Sequence, residues 1–302
     1  MKKFVKIALT WAFLTPACLA EPALVYTALT DLGWEVHLYD FKSQESKRLT
    51  TSAGDKRVPR YVSAWDAIAY RDSRGRINYV DSKGEEKVWA EVEGCADFII
   101  QDQGEENPPK AFVTRLVTGN PQRQLIWRLT LPDVLHPAAR APKGSLRQLT
   151  LRPEGGFFAT HLWRRGEERI IEFQSSLEDT QDGEVVYWTS EKEVAAYPLY
   201  IPNKGLLYSY KTSPLNYDLV LKKSAESSPQ VIVASAEWSE QASALDAEGE
   251  TLFFERSNKQ GEWFLAQVSL KEGEEGEVKV LELPHQAKEP RWADVPSEWF
   301  GR

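Results

Sequence analysis

Sulfur and histidine are scarce in this chain: 302 residues contain two cysteines, one methionine and four histidines. Cys18 sits in the leader described below, which leaves Cys95 alone and excludes an intramolecular disulfide from the rest of the chain. Cys95 precedes the strand-like run Ala96-Asp97-Phe98-Ile99-Ile100, so a buried, inert thiol is expected there rather than a nucleophile. His37, His136, His161 and His285 show no metal-ligand spacing, and they read as surface or satisfied strand histidines. No Gly-x-Ser-x-Gly elbow and no Gly-rich phosphate loop occurs. Basic charge is also in deficit, with 37 Lys and Arg against 45 Asp and Glu for a net charge of −8. That balance argues against nucleic acid and against an anionic membrane surface, both of which need a cationic face. No apolar run is long enough to span a bilayer, and no stretch holds a helical period.

What is present begins with an address. Residues 1–20 read as a secretory signal peptide: Lys2, Lys3 and Lys6 form the charged region, Ile7–Leu14 the short apolar core, and Cys18-Leu19-Ala20 the cleavage site ahead of Glu21. A lipoprotein signal ending at Cys18 is the lesser alternative, because Leu14 stands one place too early and Pro16 occupies a small-residue position. Removal of the leader takes the net charge from −8 to −11. The expectation is a cleaved, periplasmic, soluble protein of roughly 280 residues, long enough to hold its fold by core burial.

Residues 21–302 are repetitive. Eighteen Gly, seventeen Pro and eleven Trp favour turns and large aromatic packing units. One kind of β-run, marked by Tyr26, Tyr70, Phe112, Phe158, Tyr208 and Phe254, recurs at steps of 44, 42, 46, 50 and 46. Each is followed by a second run, from Glu35-Val36-His37-Leu38-Tyr39 to Trp263-Phe264-Leu265-Ala266. Turn clusters such as Pro153-Glu154-Gly155, Pro202-Asn203-Lys204-Gly205 and Ala247-Glu248-Gly249 precede several of these pairs. Six β-pairs at a period near 45 predict an all-β, six-bladed propeller with four antiparallel strands per blade. The repeat begins with outer strands and finishes on the inner-strand motif Glu289-Pro290-Arg291-Trp292, so N- and C-terminal strands are expected to share one blade and close the ring. A two-sheet sandwich is the alternative, but it does not predict this period or these complementary ends.

Within Tyr26–Trp89, the series Arg48-Leu49-Thr50, Gly54-Asp55, Pro59-Arg60-Tyr61 and Ile68-Ala69-Tyr70 resembles the repeats of TolB-type, WD-repeat-like propellers of exported bacterial proteins. Segments from Leu149-Thr150 to Phe158, Pro198 to Tyr208, Leu245 to Phe254 and Glu289 to Trp292 keep other parts of the pattern, and 92–140 keeps least. The sequence departs from it at Ala64-Trp65, where an Asp-Gly turn belongs, and it shows no segment for the α/β domain that precedes the propeller in TolB. The resemblance implies a non-catalytic protein-interaction role towards an envelope or periplasmic partner, with no cofactor. The other class left open is a metal-dependent hydrolase or lyase, or a saccharide- or peptide-binding propeller, with ligands gathered in the channel from several blades.

The candidate binding residues are Arg60 and Arg291, at the same repeat position on inner strands of adjacent blades, with Asp55 and Glu289 beside them. Strand alternation can turn both guanidiniums into the central opening, where two of them would clamp a carboxylate. The competing assignment pairs them structurally with Asp55 and Glu289. No catalytic or metal-ligating residue is assigned, and the Lys271–Glu277 run reads as a solvated hairpin loop.

Overall fold

The computed structural model describes residues 20–101, 109–115, 123–131, 134–152, 155–164, 167–173, 185–271 and 276–302. Residues 1–19, the stretch with Cys18 that is expected to be a leader, and residues 272–275 of the acidic run lie outside the described residues.

Six four-stranded antiparallel sheets follow one another along the chain. The first is completed across the termini: Ala287–Pro296 is its inner strand, paired to Ala20–Thr30, with Gly33–Asp40 and Glu45–Arg48 outside them. The other inner strands are Lys56–Val62, Cys95–Gln101, Ser145–Leu151, Ala195–Ile201 and Ser239–Leu245, in blades two to six. Each inner strand touches the next, and the sixth touches Ala287–Pro296, so the sheets close into a ring. All six marker residues fall on the second strand of a blade, and the terminal strands share a blade as their motifs require. The Leu149-Thr150 segment is displaced from the expected alignment: it lies in an inner strand, and Trp188-Thr189 occupies the place that Leu49-Thr50 has in the first repeat.

Alternating residues bury both faces of each sheet, because each blade packs against two neighbours. The apolar interior is accordingly divided into six wedges, one per blade junction. Trp292 fills the junction between blades six and one, against Phe41 and Phe253 with ring centroids 5.4 and 5.7 Å away. Tyr61 meets Trp299 edge-on between blades one and two. Both aromatics directly follow the arginines Arg60 and Arg291 in sequence and pack between sheets. At the 202–205 turn, Asn203 and Gly205 are both left-handed, and a Cβ on Gly205 would stand 2.1 Å from the Lys222 carbonyl oxygen. Cys95 is buried, and burial pushes its thiol up to about 12, which keeps it protonated.

The terminal seam is locked by Trp299, which is fully buried and donates from Nε1 to Asp66 Oδ1 at 2.7 Å. Trp299→Ala is expected to cost about 3–5 kcal/mol in urea unfolding; a loss below about 1 kcal/mol would show that the seam is not a stability determinant.

Candidate functional site

The inner strands do not run straight. In four of them the ladder breaks so that two residues oppose one: Val58-Pro59 across from Tyr70, Gln148-Leu149 from Ala159, Tyr197-Pro198 from Tyr208, and Glu289-Pro290 from Tyr26. The first residue of each bulge has φ between 53° and 57°. A left-handed conformation in a non-glycine residue costs roughly 1–2 kcal/mol, and Val58 is β-branched as well.

A side chain from the preceding blade holds each bulge. Glu289 Oε2 accepts the Val58 N–H at 2.7 Å, and Asp97 Oδ2 accepts the Leu149 N–H at 2.9 Å. Gln148 Oε1 accepts the Tyr197 N–H at 3.1 Å while also accepting the Thr160 hydroxyl at 2.5 Å. Glu255 Oε2 accepts the Glu289 N–H at 2.8 Å. Bulges re-aim the residues around them. Here the residue just before each bulge is Arg57, Arg147, Ala196 or Lys288, and the residue just after is Arg60, Thr150, Leu199 or Arg291.

Of these, Arg57, Arg147, Lys288 and Arg291 line a cavity of about 520 Å³ on the ring axis, to which all six inner strands contribute. Arg57, Arg71, Arg147, Lys288 and Arg291 supply five cations, against the carboxylates of Asp97, Glu255 and Glu289. The excess is local, in a chain whose overall charge is −8. All three carboxylates accept backbone N–H bonds; Asp97 also takes that of Phe98 at 2.8 Å. Burial, reinforced by Glu289, raises Glu255 to about 7. Burial lowers Arg60 to about 9, with Arg291 adding to the effect and Asp97 and Glu289 opposing it. Burial lowers Arg291 as well. At the rim Lys288 Nζ stands 3.6 Å from the Trp263 ring centroid and 4.9 Å from that of Trp34, over which Arg57 also lies.

Arg291 and Glu289 therefore line the cavity, and Arg60 stands within electrostatic reach of both. Asp55 does not line it: its Oδ1 accepts the Trp34 N–H at 3.1 Å, and Oδ2 is 3.8 Å from Arg57 rather than serving Arg60. Sequence reasoning missed Arg57, Arg147 and Lys288, although each stands two residues before the Pro or Leu that ends the bulge, a signal present in the repeats. Gln148 and Glu255 had no such signal.

None of the histidines lines the cavity. His37 is buried in blade one, 6.1 Å from the His285 ring, and burial lowers it to about 4. His161 is buried in blade four beside Tyr187, and His136 is exposed. Among the described residues no three His, Cys, Asp or Glu side chains are grouped to hold a metal ion. No helix among them is long and apolar enough to cross a membrane.

No protein-family model matches the sequence, and no curated protein matches it. Solved structures share its fold. TolB from Acinetobacter baumannii superposes with a TM-score of 0.67 at 16% identity, covering 91% of this chain and 66% of that one, so this chain spans less than two thirds of its length. A protein described as TolB from Agrobacterium tumefaciens gives 0.66 at 10% identity, covering 89% of this chain and 91% of that one. An oligogalacturonate lyase in complex with manganese gives 0.52 at 15% identity, covering 83% and 72%. The chain is thus a TolB-like six-bladed propeller in fold.

Because Glu255 titrates higher in the fold than in the unfolded chain, its protonated form stabilises below about pH 4.5 and that contribution fades as pH rises through about 7. Glu240, also raised to about 7 by burial, acts in the same direction. Glu255→Gln keeps an acceptor for the Glu289 N–H and removes one titration. It is expected to flatten the fall in Tm between pH 5 and 8; an unchanged slope would remove Glu255 from the account.

Proposed function

We propose that this chain is an exported, non-catalytic propeller of the cell envelope that presents the mouth of its central cavity to a protein partner. The observation that carries the reading is the division of labour among charges. The cavity carboxylates are engaged in holding bulges, while Arg57, Arg147 and Lys288 surround the opening. A cationic, tryptophan-flanked mouth on an otherwise acidic protein suits an acidic surface on a partner, and steers its approach. Arg60 and Arg291 form the deeper part of the same site, with Glu289 positioning rather than binding and Asp55 fixing Arg57 at the rim. The leader-like residues 1–20 support export and a periplasmic location, with lipidation at Cys18 as the lesser alternative.

Fold likeness to a manganese-bound lyase favours one second reading, a metal-dependent enzyme of the channel. The cavity's donor set is a poor match, since its three carboxylates already accept backbone N–H bonds and no histidine reaches it.

Reversible cross-linking of the tagged protein in its native envelope, followed by mass spectrometry, tests the docking reading. One dominant protein is expected, with capture falling about tenfold in an Arg57→Glu, Arg147→Glu variant of unchanged Tm, and falling also as salt is raised. Capture indifferent to both charge reversals, or a chelator-sensitive activity on a small substrate, would overturn it.

A further inference from the structure

One buried histidine carries a nitrogen with no bond to make inside the fold. His37 is 4% exposed on the third strand of blade one, and its Nε2 is shielded from solvent without a hydrogen-bond partner among the described residues. The other nitrogen is fixed: Nδ1 lies 3.2 Å from Ser46 Oγ, which lies 2.5 Å from the Tyr26 hydroxyl. With Nδ1–H donating to Ser46, Nε2 carries the lone pair, the arrangement by which an outer hydrogen bond orients a metal-ligating imidazole. Burial lowers His37 to about 4, with His285 and Arg48 adding to the effect, so the ring is neutral at neutral pH. A buried acceptor left unmade is costly, and a neutral imidazole needs no proton removed before it binds a metal.

A second imidazole stands against it at the junction of blades six and one. His285 lies on the connection that leads out of blade six into Ala287–Pro296, the inner strand that closes the ring. Its ring centroid is 6.1 Å from that of His37, and the two planes meet at 73°. Two imidazoles on one ion, each nitrogen about 2.0–2.1 Å from the metal, set their ring centroids roughly 5–6 Å apart. The backbone beside His285 is held from both blades: Gln286 accepts the Leu29 N–H on its carbonyl at 2.9 Å and the Trp263 N–H on Oε1 at 3.2 Å. His285 itself is exposed, so an ion reaches the pair from solvent and water completes its coordination. Arg48, opposite His37 in the ladder, donates from Nε to the Thr50 carbonyl at 2.8 Å, with Nη1 3.8 Å from Asp31. Its charge weakens any cation held by Coulomb attraction alone, which leaves the nitrogen bonds to select the ion.

We propose that His37 and His285 hold one divalent ion of the late first transition row, Cu²⁺ ahead of Zn²⁺, and that the ion ties the ring-closing connection to blade one. Imidazole suits both metals, whereas Mg²⁺ and Ca²⁺ require oxygen donors. Neither histidine lines the central cavity, so this site is separate from the docking mouth and does not depend on a protein partner.

Calorimetric titration of the full exported chain, free of any affinity tag, with ZnCl₂, CuCl₂ and MgCl₂ at neutral pH tests it, with Tm followed alongside. A single Zn²⁺ is expected to bind each chain, Cu²⁺ at least about tenfold tighter and Mg²⁺ not at all. Saturating Zn²⁺ is expected to raise Tm, because an ion bridging the seam binds the folded chain and not the unfolded one. His285→Ala, at an exposed position, is expected to keep the fold, weaken Zn²⁺ at least about tenfold and abolish the Tm rise. His136→Ala, exposed in another blade, is expected to change neither. His37→Asn is expected to match His285→Ala. Should it fail to fold by circular dichroism, electron paramagnetic resonance of the Cu²⁺ form serves instead, with coupling to two imidazole nitrogens expected in the natural chain and to one in His285→Ala. No Zn²⁺ binding, Zn²⁺ affinity unchanged in His285→Ala or lost equally in His136→Ala, or Mg²⁺ binding as tightly as Zn²⁺ would overturn the proposal.

Discussion

The organisation of the cavity depends on one hydrogen bond made four times: an acceptor side chain of one blade taking the N–H of a bulge in the next. Glu289 to Val58, Asp97 to Leu149, Gln148 to Tyr197 and Glu255 to Glu289 run in the same sense around the axis. Each bond crosses a blade junction and satisfies a backbone donor that the bulge removes from its ladder. A buried donor left unmade costs about 1–3 kcal/mol, comparable to the expense of a left-handed valine or tyrosine. The clamp and the bulge therefore stabilise one another, and the six apolar wedges supply the burial that holds the blades in register.

Electrostatics follow from that constraint. Carboxylates recruited as acceptors face amides, so their charge is partly spent before it reaches the cavity. Arg57, Arg147, Lys288 and Arg291, beside the same bulges, line the cavity together with Arg71 and outnumber its three carboxylates. An acidic protein thereby carries a cationic centre, and the surface charge read from composition gives the wrong sign for the site.

The blade count, strand order and terminal closure were legible because a period near 45 and complementary ends leave few other ways to arrange the strands. Arg60 and Arg291 were legible because proline marks the same position in both repeats. The bulges were not: Val58, Gln148, Tyr197 and Glu289 are residues that rarely take a positive φ, so nothing in their identity announces a turn of the backbone. Without the bulge, alternation alone gives no reason to group Arg57, Arg147 and Lys288. Glu255 was invisible for a different reason. It lies on the second strand of its blade, and its tie to a bulge is the Glu289 amide, a contact 34 residues distant in sequence. Asp55 stands two residues before the cavity cation Arg57 but accepts the Trp34 amide.

Amide hydrogen exchange, residue by residue, tests the clamp most directly. Glu289→Ala is predicted to abolish the protection of Val58 N–H while those of Leu149 and Tyr197, held by Asp97 and Gln148, exchange as slowly as before. Unchanged protection at Val58, or a uniform loss at all three, would contradict an account in which each bulge is held by its own side chain from the neighbouring blade.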